Sequence, residues 1–239
     1  MADAKIGGPN TWKKVRQQMP DRLEHADLKT KQRALREGFP ETMGLRVHRS
    51  ISWIGRAEAA QDDPDAQFLF LWIAFNAAYA DEDEFQTIQP GERASFAGFF
   101  EKAVALDTDR RIYNAIWKSF SGPIRLLMDN RYVFNPFWQY HNGVDGFEDW
   151  EDRFAASSRR FAQALQDQDS ARILSFVFDR LYVLRNQLVH GGSTWNSTVN
   201  RNQVRDGAAI LGFLMPVFVD IMMDNPQADW GQPFYPVVD

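Results

Sequence analysis

Apolar residues recur every three to four positions along most of the chain, which is the spacing of helices that bury one face. The clearest case is residues 66–81, where the apolar stripe comprises Phe68, Leu71, Trp72, Phe75 and Tyr79. No run alternates apolar and polar residues long enough to make a convincing strand. The sequence therefore predicts an all-α fold.

Turn residues and caps divide the remaining chain into further predicted helices, over residues 41–60, 92–106, 108–120, 123–132, 147–166, 169–190 and 200–224. Residues 134–146, FNPFWQYHNGVDG, are too rich in Pro, Asn and Gly for a helix and are predicted to be an irregular aromatic loop. Its rings either stack RNA bases or form a lid packed on its own core. The short Gly191-Gly192 connection predicts that the helices on either side of it pack antiparallel.

The same pattern divides the chain into three segments. Residues 1–40 are a basic N-terminal lead-in that we expect to be partly mobile. Residues 41–225 form the helical domain. Residues 226–239, with Trp230 and several prolines, form an extended tail that we expect to dock back on the domain.

Composition narrows the classes of function. The chain has no cysteine, which excludes disulfides, thiolate metal sites and a cysteine nucleophile. Its 239 residues carry a formal net charge of -5, so the protein lacks the basic field of a bulk nucleic-acid binder and any such contact must be local. The four histidines are scattered, without the spacing of a helical zinc site, and we expect neither a metal nor a cofactor.

Two apolar runs, residues 68–80 and 208–223, are each shorter than the roughly 20 residues of a spanning helix and contain polar residues or proline. Both are interpreted as buried core helices, and no membrane association is expected. The stretch Met1 to Asn10 has no apolar segment that could serve as a signal peptide. We therefore expect a cytoplasmic protein.

The helix over residues 169–190 carries the most informative polar residues. It is apolar over most of its circumference, yet at 100° per residue a wedge of about 80° holds Ser175, Asp179, Tyr182, Asn186 and His190. Polar groups on an otherwise buried helix face something specific. The acidic run from Asp81 to Glu84 leaves a two-carboxylate mechanism open, although such runs are usually solvated surface.

Arg185 precedes His190 by five residues, so the two side chains flank Asn186 and could hold an anion between them. A histidine in the last turn of a helix is also favoured by the helix dipole alone, and an Arg–His pair at this spacing is common by chance. The context makes this pair notable, because it ends a buried helix and Gly191-Gly192 follows at once.

The stretch from Leu181 to Gly191, LYVLRNQLVHG, resembles the R-x(4-6)-H motif of HEPN domains. The earlier LWIAFNAAY, with Trp72, Asn76 and Tyr79, is similar to a helix of a bacterial HEPN subgroup related to ApeA. The resemblance covers residues ~45 to ~222 and implies a helical bundle whose HEPN-like four-helix core contains the helices near 43–60, 66–81, 169–190 and 200–224, with extra helices around it.

What the resemblance implies is a metal-independent endoribonuclease, a homodimer with two motifs facing each other across a cleft. It would act in phage defence or in toxin–antitoxin growth arrest, with an antitoxin or defence-system partner. His190 would transfer protons, and Arg185 would hold the scissile phosphate. Asn186 would orient one of them or donate to a phosphate oxygen.

Three further residues are candidates for substrate binding: Asn76, Tyr182 and Asp179. Asn76 either lines the same cleft or hydrogen-bonds backbone within the core, because an unpaired amide in so apolar a helix would be costly. HEPN proteins also include forms that bind RNA or nucleotides without cutting and forms that serve as helical interaction modules. The intact Arg185 and His190 favour catalysis, whereas the acidic net charge favours these alternatives.

Overall fold

The described part of the chain consists of α-helices joined by turns. The computed structural model describes residues 23–80, 92–198, 200–233 and 235–237, and no β-strand occurs among them, so the predicted all-α fold is confirmed. The α-helices of these residues are α1 (His25–Leu35), α2 (Glu41–Glu58), α3 (Pro64–Tyr79), α4 (Glu92–Leu106), α5 (Arg111–Asn114), α6 (Ser121–Met128), α7 (Asn135–His141), α8 (Trp150–Gln166), α9 (Ser170–Val189) and α10 (Arg201–Asp224).

Local signals explain where the central helices begin. Asp63 caps α3, because its side chain accepts hydrogen bonds from the backbone N–H groups of Asp65 and Ala66, and Pro64 occupies the first turn. Asp169 caps α9 in the same way through the N–H of Arg172. The starts of α3 and α9 lie two residues and one residue, respectively, from the predicted ones.

The core is built around α3, which packs against α2 and α10. An aromatic cluster joins α3 to α4 and α9: the ring centroid of Phe75 lies 4.4 Å from that of Phe178 and 5.9 Å from that of Phe100. Such ring pairs add to the stabilisation from burial of their apolar area. The described core is therefore a helical bundle with a layer of aromatic rings at its centre.

α9 and α10 are antiparallel where they touch, as predicted, but each packs mainly on another helix. Phe178 meets Phe218 at 6.3 Å, and Leu181 lies against Gly207, so the two helices touch and run in opposite senses. The main neighbour of α9 is nevertheless α4, and that of α10 is α3. Aromatic residues on α4 fill the space beside α9.

The prediction of an aromatic loop over residues 134–146 is partly wrong, because Asn135–His141 forms the helix α7. Pro136 stands in its first turn, where proline starts a helix instead of breaking one. Phe137 is buried against Trp150 at 5.0 Å, in a small second apolar cluster. The interpretation of this segment as aromatic residues packed on their own core fits Phe137.

Two other predicted helices have different bounds. The segment predicted as a helix over residues 108–120 is α5 followed by a π-helical turn over Ala115–Ser119, and the one predicted over 123–132 is α6 followed by a 3-10 turn over Arg131–Val133.

Part of the segment set apart as a lead-in belongs to the bundle. Leu28 of α1 is buried, and Lys31 pairs with Asp220 and Asp224 of α10 at 2.5 and 2.7 Å. Residues 1–22 lie outside the described residues.

The segment after α10 runs back over the bundle. Trp230 is buried, and the guanidinium of Arg46 donates hydrogen bonds to the backbone carbonyls of Gly231 and Gln232 at 3.3 and 2.5 Å.

Among the described residues, one helix, α10, is long and apolar enough to cross a membrane by length and composition alone. Of its most apolar 18-residue window, 83% is buried inside the protein. A buried and strongly apolar core helix passes the same test, so this feature is weak evidence for a span.

Candidate active site

The end of α9 has a geometry that glycine makes available. Gly191 has a positive φ of 71°, the amide of Gly192 donates to the carbonyl of Gln187 at 2.7 Å, and the amide of Gly191 donates to that of Leu188 at 3.4 Å. These are the two hydrogen bonds of a Schellman motif. A Cβ on Gly192 would lie 3.1 Å from the Gln187 carbonyl oxygen, so both glycines are needed to end the helix here.

Arg185 and Asn186 form a pair of side chains next to this helix end. The Nη1 of Arg185 donates a hydrogen bond to the Oδ1 of Asn186 at 2.9 Å, and both residues are half-buried. Within the described ranges no carboxylate pairs with Arg185. The guanidinium thus keeps its charge and most of its donors for a ligand.

His190 is the C-terminal cap residue of α9. It follows Arg185 by five residues, which is about 7.5 Å along the helix axis at 1.5 Å per residue. The residue is exposed, and in the part of the chain that the structure describes its ring makes no hydrogen bond. No hydrogen bond joins it to Arg185. The two side chains therefore present a cation and an accessible imidazole at one end of a buried helix, without neutralising each other.

Gln187 is a residue of this region that the sequence analysis did not single out. Its Nε2 donates to the carbonyl of Tyr132 at 2.6 Å, and its Oε1 accepts from Asn200 at 2.9 Å. It thereby ties the end of α9 to the 3-10 turn before α7 and to the start of α10. The only sequence signal was its place beside Asn186, and neither partner could be inferred from spacing.

The loop from Gly191 to Asn200 is held by the start of α3. The Asp65 carboxylate accepts from the amide of Asn196 at 3.1 Å and pairs with Arg201 at 2.6 Å, and Trp195 donates to Asp63 at 3.0 Å. The pKa of Asp63 lies below its usual value, mainly because the backbone N–H of Ala66 donates to the carboxylate, with the Trp195 hydrogen bond adding to this. These contacts keep the segment after His190 beside α3.

Tyr182 lies on the α3 side of α9, with its ring centroid 6.1 Å from that of Trp72. It stands eight residues, or about 12 Å along the axis, before His190. Tyr182 therefore lies between α9 and α3, two turns before the end of α9.

The structure does not bring Asn76 to the end of α9. The start of α3 meets the loop after His190, whereas Phe75 meets Phe178, so α3 and α9 run in opposite senses. Asn76 is half-buried and follows Phe75, whose ring meets Phe178, a residue twelve positions before His190 in the chain. Its side chain makes no hydrogen bond to any described residue.

Asp179 is likewise separated from His190, by eleven residues or about 16 Å along the axis. It lines a cavity between α8 and α9 together with Arg180. Arg185, Asn186 and His190 are therefore the predicted site residues that the fold gathers at one place, and Asn76, Tyr182 and Asp179 lie elsewhere along the helix.

No group of three or more His, Cys, Asp or Glu side chains in the described ranges is arranged to hold a metal ion. The acidic run from Asp81 to Glu84, the residues of the alternative two-carboxylate mechanism, lies outside the described residues.

Comparison with known proteins adds no relative. No family model, no curated protein and no solved structure matches this chain. The resemblance to HEPN domains therefore rests on the residues themselves, above all on Arg185, Asn186 and His190.

Proposed function

We propose that this chain is an HEPN-type, metal-independent endoribonuclease with Arg185, Asn186 and His190 at its active site. One observation carries the proposal: an exposed histidine without a hydrogen-bond partner among the described residues follows an arginine that an asparagine orients and no described carboxylate neutralises. These two groups supply the charge stabilisation and proton transfer that RNA cleavage requires.

The proposed reaction is an in-line displacement within the RNA strand. A base removes the proton of the ribose 2′-OH, the 2′-oxygen bonds to phosphorus, and the bond from phosphorus to the 5′-oxygen breaks as that oxygen receives a proton. The products end in a 2′,3′-cyclic phosphate and a 5′-OH. The exposed imidazole of His190 can transfer one of these protons. Arg185 can hold the phosphate through two parallel hydrogen bonds.

A second copy of the chain would provide the other proton-transfer group. In the proposed homodimer, two His190 side chains face one shared cleft, and one acts as base while the other acts as acid. Val189, the neighbour of His190 in the chain, is 50% exposed, and Trp195 in the following loop is 74% exposed, so both offer apolar surface that a second copy would cover. Sedimentation at micromolar concentration should give a dimer, and a strict monomer would count against this arrangement.

The proposal includes an HEPN-like core formed by α2, α3, α9 and α10, with α4 as an addition that packs on α9. It also includes a cytoplasmic role in phage defence or toxin–antitoxin growth arrest, with RNA as substrate and an antitoxin or defence-system protein as partner. Asn186 positions the Arg185 guanidinium, and Gln187 fixes the helix end that carries both.

The test is cleavage of mixed single-stranded RNA by the purified protein in EDTA. We expect RNA but not DNA to be cut, with 2′,3′-cyclic phosphate ends. His190→Ala should lower the rate about 100-fold or more, the usual loss for a general acid or base. Arg185→Lys should also be damaging, because a point charge cannot reproduce the planar two-donor contact.

The matched control is His48→Ala, since His48 is exposed on α2 and away from α9. It should keep parental activity, and all three variants should melt within a few degrees of the parent. A stable His190→Ala protein that cuts RNA as fast as the parent would defeat the proposal. A protein that binds RNA without cutting it would support the non-catalytic alternative, which the net charge of -5 favours.

A further inference from the structure

A cavity lies between α8 and α9, apart from the end of α9. It encloses about 390 Å³, within the range of small-molecule sites, about 300–1,000 Å³. The α8 side of its lining consists of Arg153, Ala156, Ser157 and Arg160, which share one helix face by their spacing of three and four. The small side chains of Ala156 and Ser157 leave the space beside this face open.

The charged groups described at this cavity leave one net positive charge. Its lining includes one carboxylate, that of Asp179, and three arginines, Arg153, Arg160 and Arg180. A second carboxylate, that of Asp149, pairs with Arg153 at 2.7 Å. Three positive charges against two negative ones match a ligand with a single negative charge, such as a carboxylate. They match less well the charge of about −1.5 to −2 that a phosphate monoester carries near neutral pH.

Arg160 and Ser157 supply hydrogen-bond donors for that negative charge. Arg160 is exposed and pairs with no described residue, so its planar guanidinium can give two parallel hydrogen bonds to a carboxylate. The buried Ser157 hydroxyl accepts from the Nη2 of Arg180 at 3.3 Å and, within the described ranges, donates to no acceptor. Arg160 and Ser157 are three residues apart on α8 and are therefore neighbours on its surface.

Arg180 holds the inner end of the cavity in place and is not needed as a donor to the ligand. It is only 3% exposed, and its guanidinium lies 4.3 Å from the ring centroid of Phe134 and 5.4 Å from that of Phe154. These two rings and the Ser157 hydroxyl fix the buried cation, and the same contact fixes the oxygen of Ser157. The cation thereby raises the positive potential at the cavity without moving.

Apolar side chains complete the lining. Phe134, Pro136 and Phe176 border the same space as the arginines. They stabilise an apolar ligand by removing its surface from water, and an aromatic ligand gains further from contacts between rings. A ligand that uses the whole cavity therefore combines one carboxylate with a flat apolar body.

We propose that this cavity binds a small aromatic carboxylic acid, with the carboxylate held by Arg160 and Ser157 and the ring against Phe176. The site is separate from the proposed nuclease site, because Asp179 and His190 are about 16 Å apart along α9. Binding of such an acid does not involve His190 and is therefore independent of the proposed function.

The experiment is isothermal titration of the full chain with phenylacetate and three matched compounds. Acetate lacks the ring, phenylacetamide lacks the charge, and benzylphosphonate carries a phosphonate in place of the carboxylate. We expect saturable binding of phenylacetate at millimolar concentration, tighter than that of the other three. Absence of saturable binding would overturn the site. Equal or tighter binding of acetate would overturn the ring contact, of phenylacetamide the anion contact, and of benzylphosphonate the choice of a carboxylate.

Two variants and their matched controls locate the binding. Arg160→Gln should weaken phenylacetate binding about tenfold or more, since it removes a charge-assisted contact, and Ala156→Phe should prevent binding by filling the cavity. The controls are Arg159→Gln and Ala155→Phe, because both residues are exposed on α8 and do not line the cavity. These controls and His190→Ala should bind phenylacetate as the parent does. Equal weakening by a cavity variant and its control would overturn the site.

Discussion

At the scale of single residues, Arg46 is a charged side chain that the fold buries completely. Its guanidinium donates to three backbone carbonyls, those of Ala78 at the end of α3 and of Gly231 and Gln232 in the tail. Carbonyls at the C-terminal end of a helix carry partial negative charge, which stabilises a nearby cation. One side chain thereby ties α2 to the end of α3 and to the tail.

Replacing Arg46 with Met should destabilise the protein by about 3 kcal/mol, because the buried Ala78 carbonyl and two part-buried carbonyls of the tail lose their donor. The free energy of unfolding in urea measures this loss, and limited proteolysis should show earlier cleavage of the tail. Arg49→Met is the control, since the exposed Arg49 contact to the Tyr235 carbonyl, 2.6 Å long, should contribute about 0.5 kcal/mol or less. Equal effects of the two substitutions would contradict the role given to Arg46.

At the scale of elements, three helices meet at Gly207 of α10. A Cβ at this position would lie 2.9 Å from the Phe68 ring of α3 and 3.0 Å from Leu181 of α9. Only glycine leaves room for both side chains at this crossing. The close approach explains how α10 can touch α9 while packing mainly on α3.

Gly207→Ala should therefore destabilise the protein by about 1–3 kcal/mol, although alanine favours helices, because the added methyl overpacks the crossing. Gly98→Ala in α4 is the matched control: nothing lies within 4 Å of the added Cβ, so the helix propensity of alanine should stabilise it by about 0.5–1 kcal/mol. Thermal unfolding of both variants measures the difference. Stabilisation by Gly207→Ala would show that the crossing relaxes freely.

At the scale of the whole molecule, a buried ionic network joins helices that are distant in sequence. Asp220 of α10 is 3% exposed and accepts from Lys31 of α1 at 2.5 Å and from Arg111 of α5. Arg111 also contacts Asp107, whose carboxylate accepts from the amide of Ile112 at 2.7 Å. Burial of these charges is tolerated because each is paired.

Removing the shared carboxylate should be costly. We expect Asp220→Ala to lower the free energy of unfolding by about 3–5 kcal/mol, since the buried Lys31 would keep only the partly exposed Asp224 and Arg111 only its 3.4 Å contact to Asp107. Asp206→Ala, which removes the surface pairing of Asp206 with Arg205, should change it by about 0.5 kcal/mol or less. Chemical denaturation measures both, and a loss below 1 kcal/mol for Asp220→Ala would contradict the network's role.

Local signals along the chain predict the helical class and most helix ends. Asp63-Pro64, Asp169 and Gly191-Gly192 act through hydrogen bonds and backbone conformations within a few residues, so their effects can be predicted from neighbours in the chain. The same local signals placed Arg185, Asn186 and His190 at one helix end. The prediction of an irregular loop over residues 134–146 was partly wrong because proline in the first turn of α7 starts a helix.

Helix pairing and contacts between polar residues of different helices depend on the tertiary structure. Asp179 lies in the same polar wedge of α9 as the site residues, and Asn76 lies on the separate apolar helix α3. Helix direction and packing place both away from His190. Three features join segments that are distant in sequence. They are the aromatic layer through which α9 packs on α4, the contacts of Arg46 to the tail 185 and 186 residues away, and the arginine-lined cavity. Such contacts depend on side-chain shape and complementary charge between residues that are close in space. These residues are far apart in the sequence and become neighbours only when the chain folds, so their spacing along the chain does not predict the contacts.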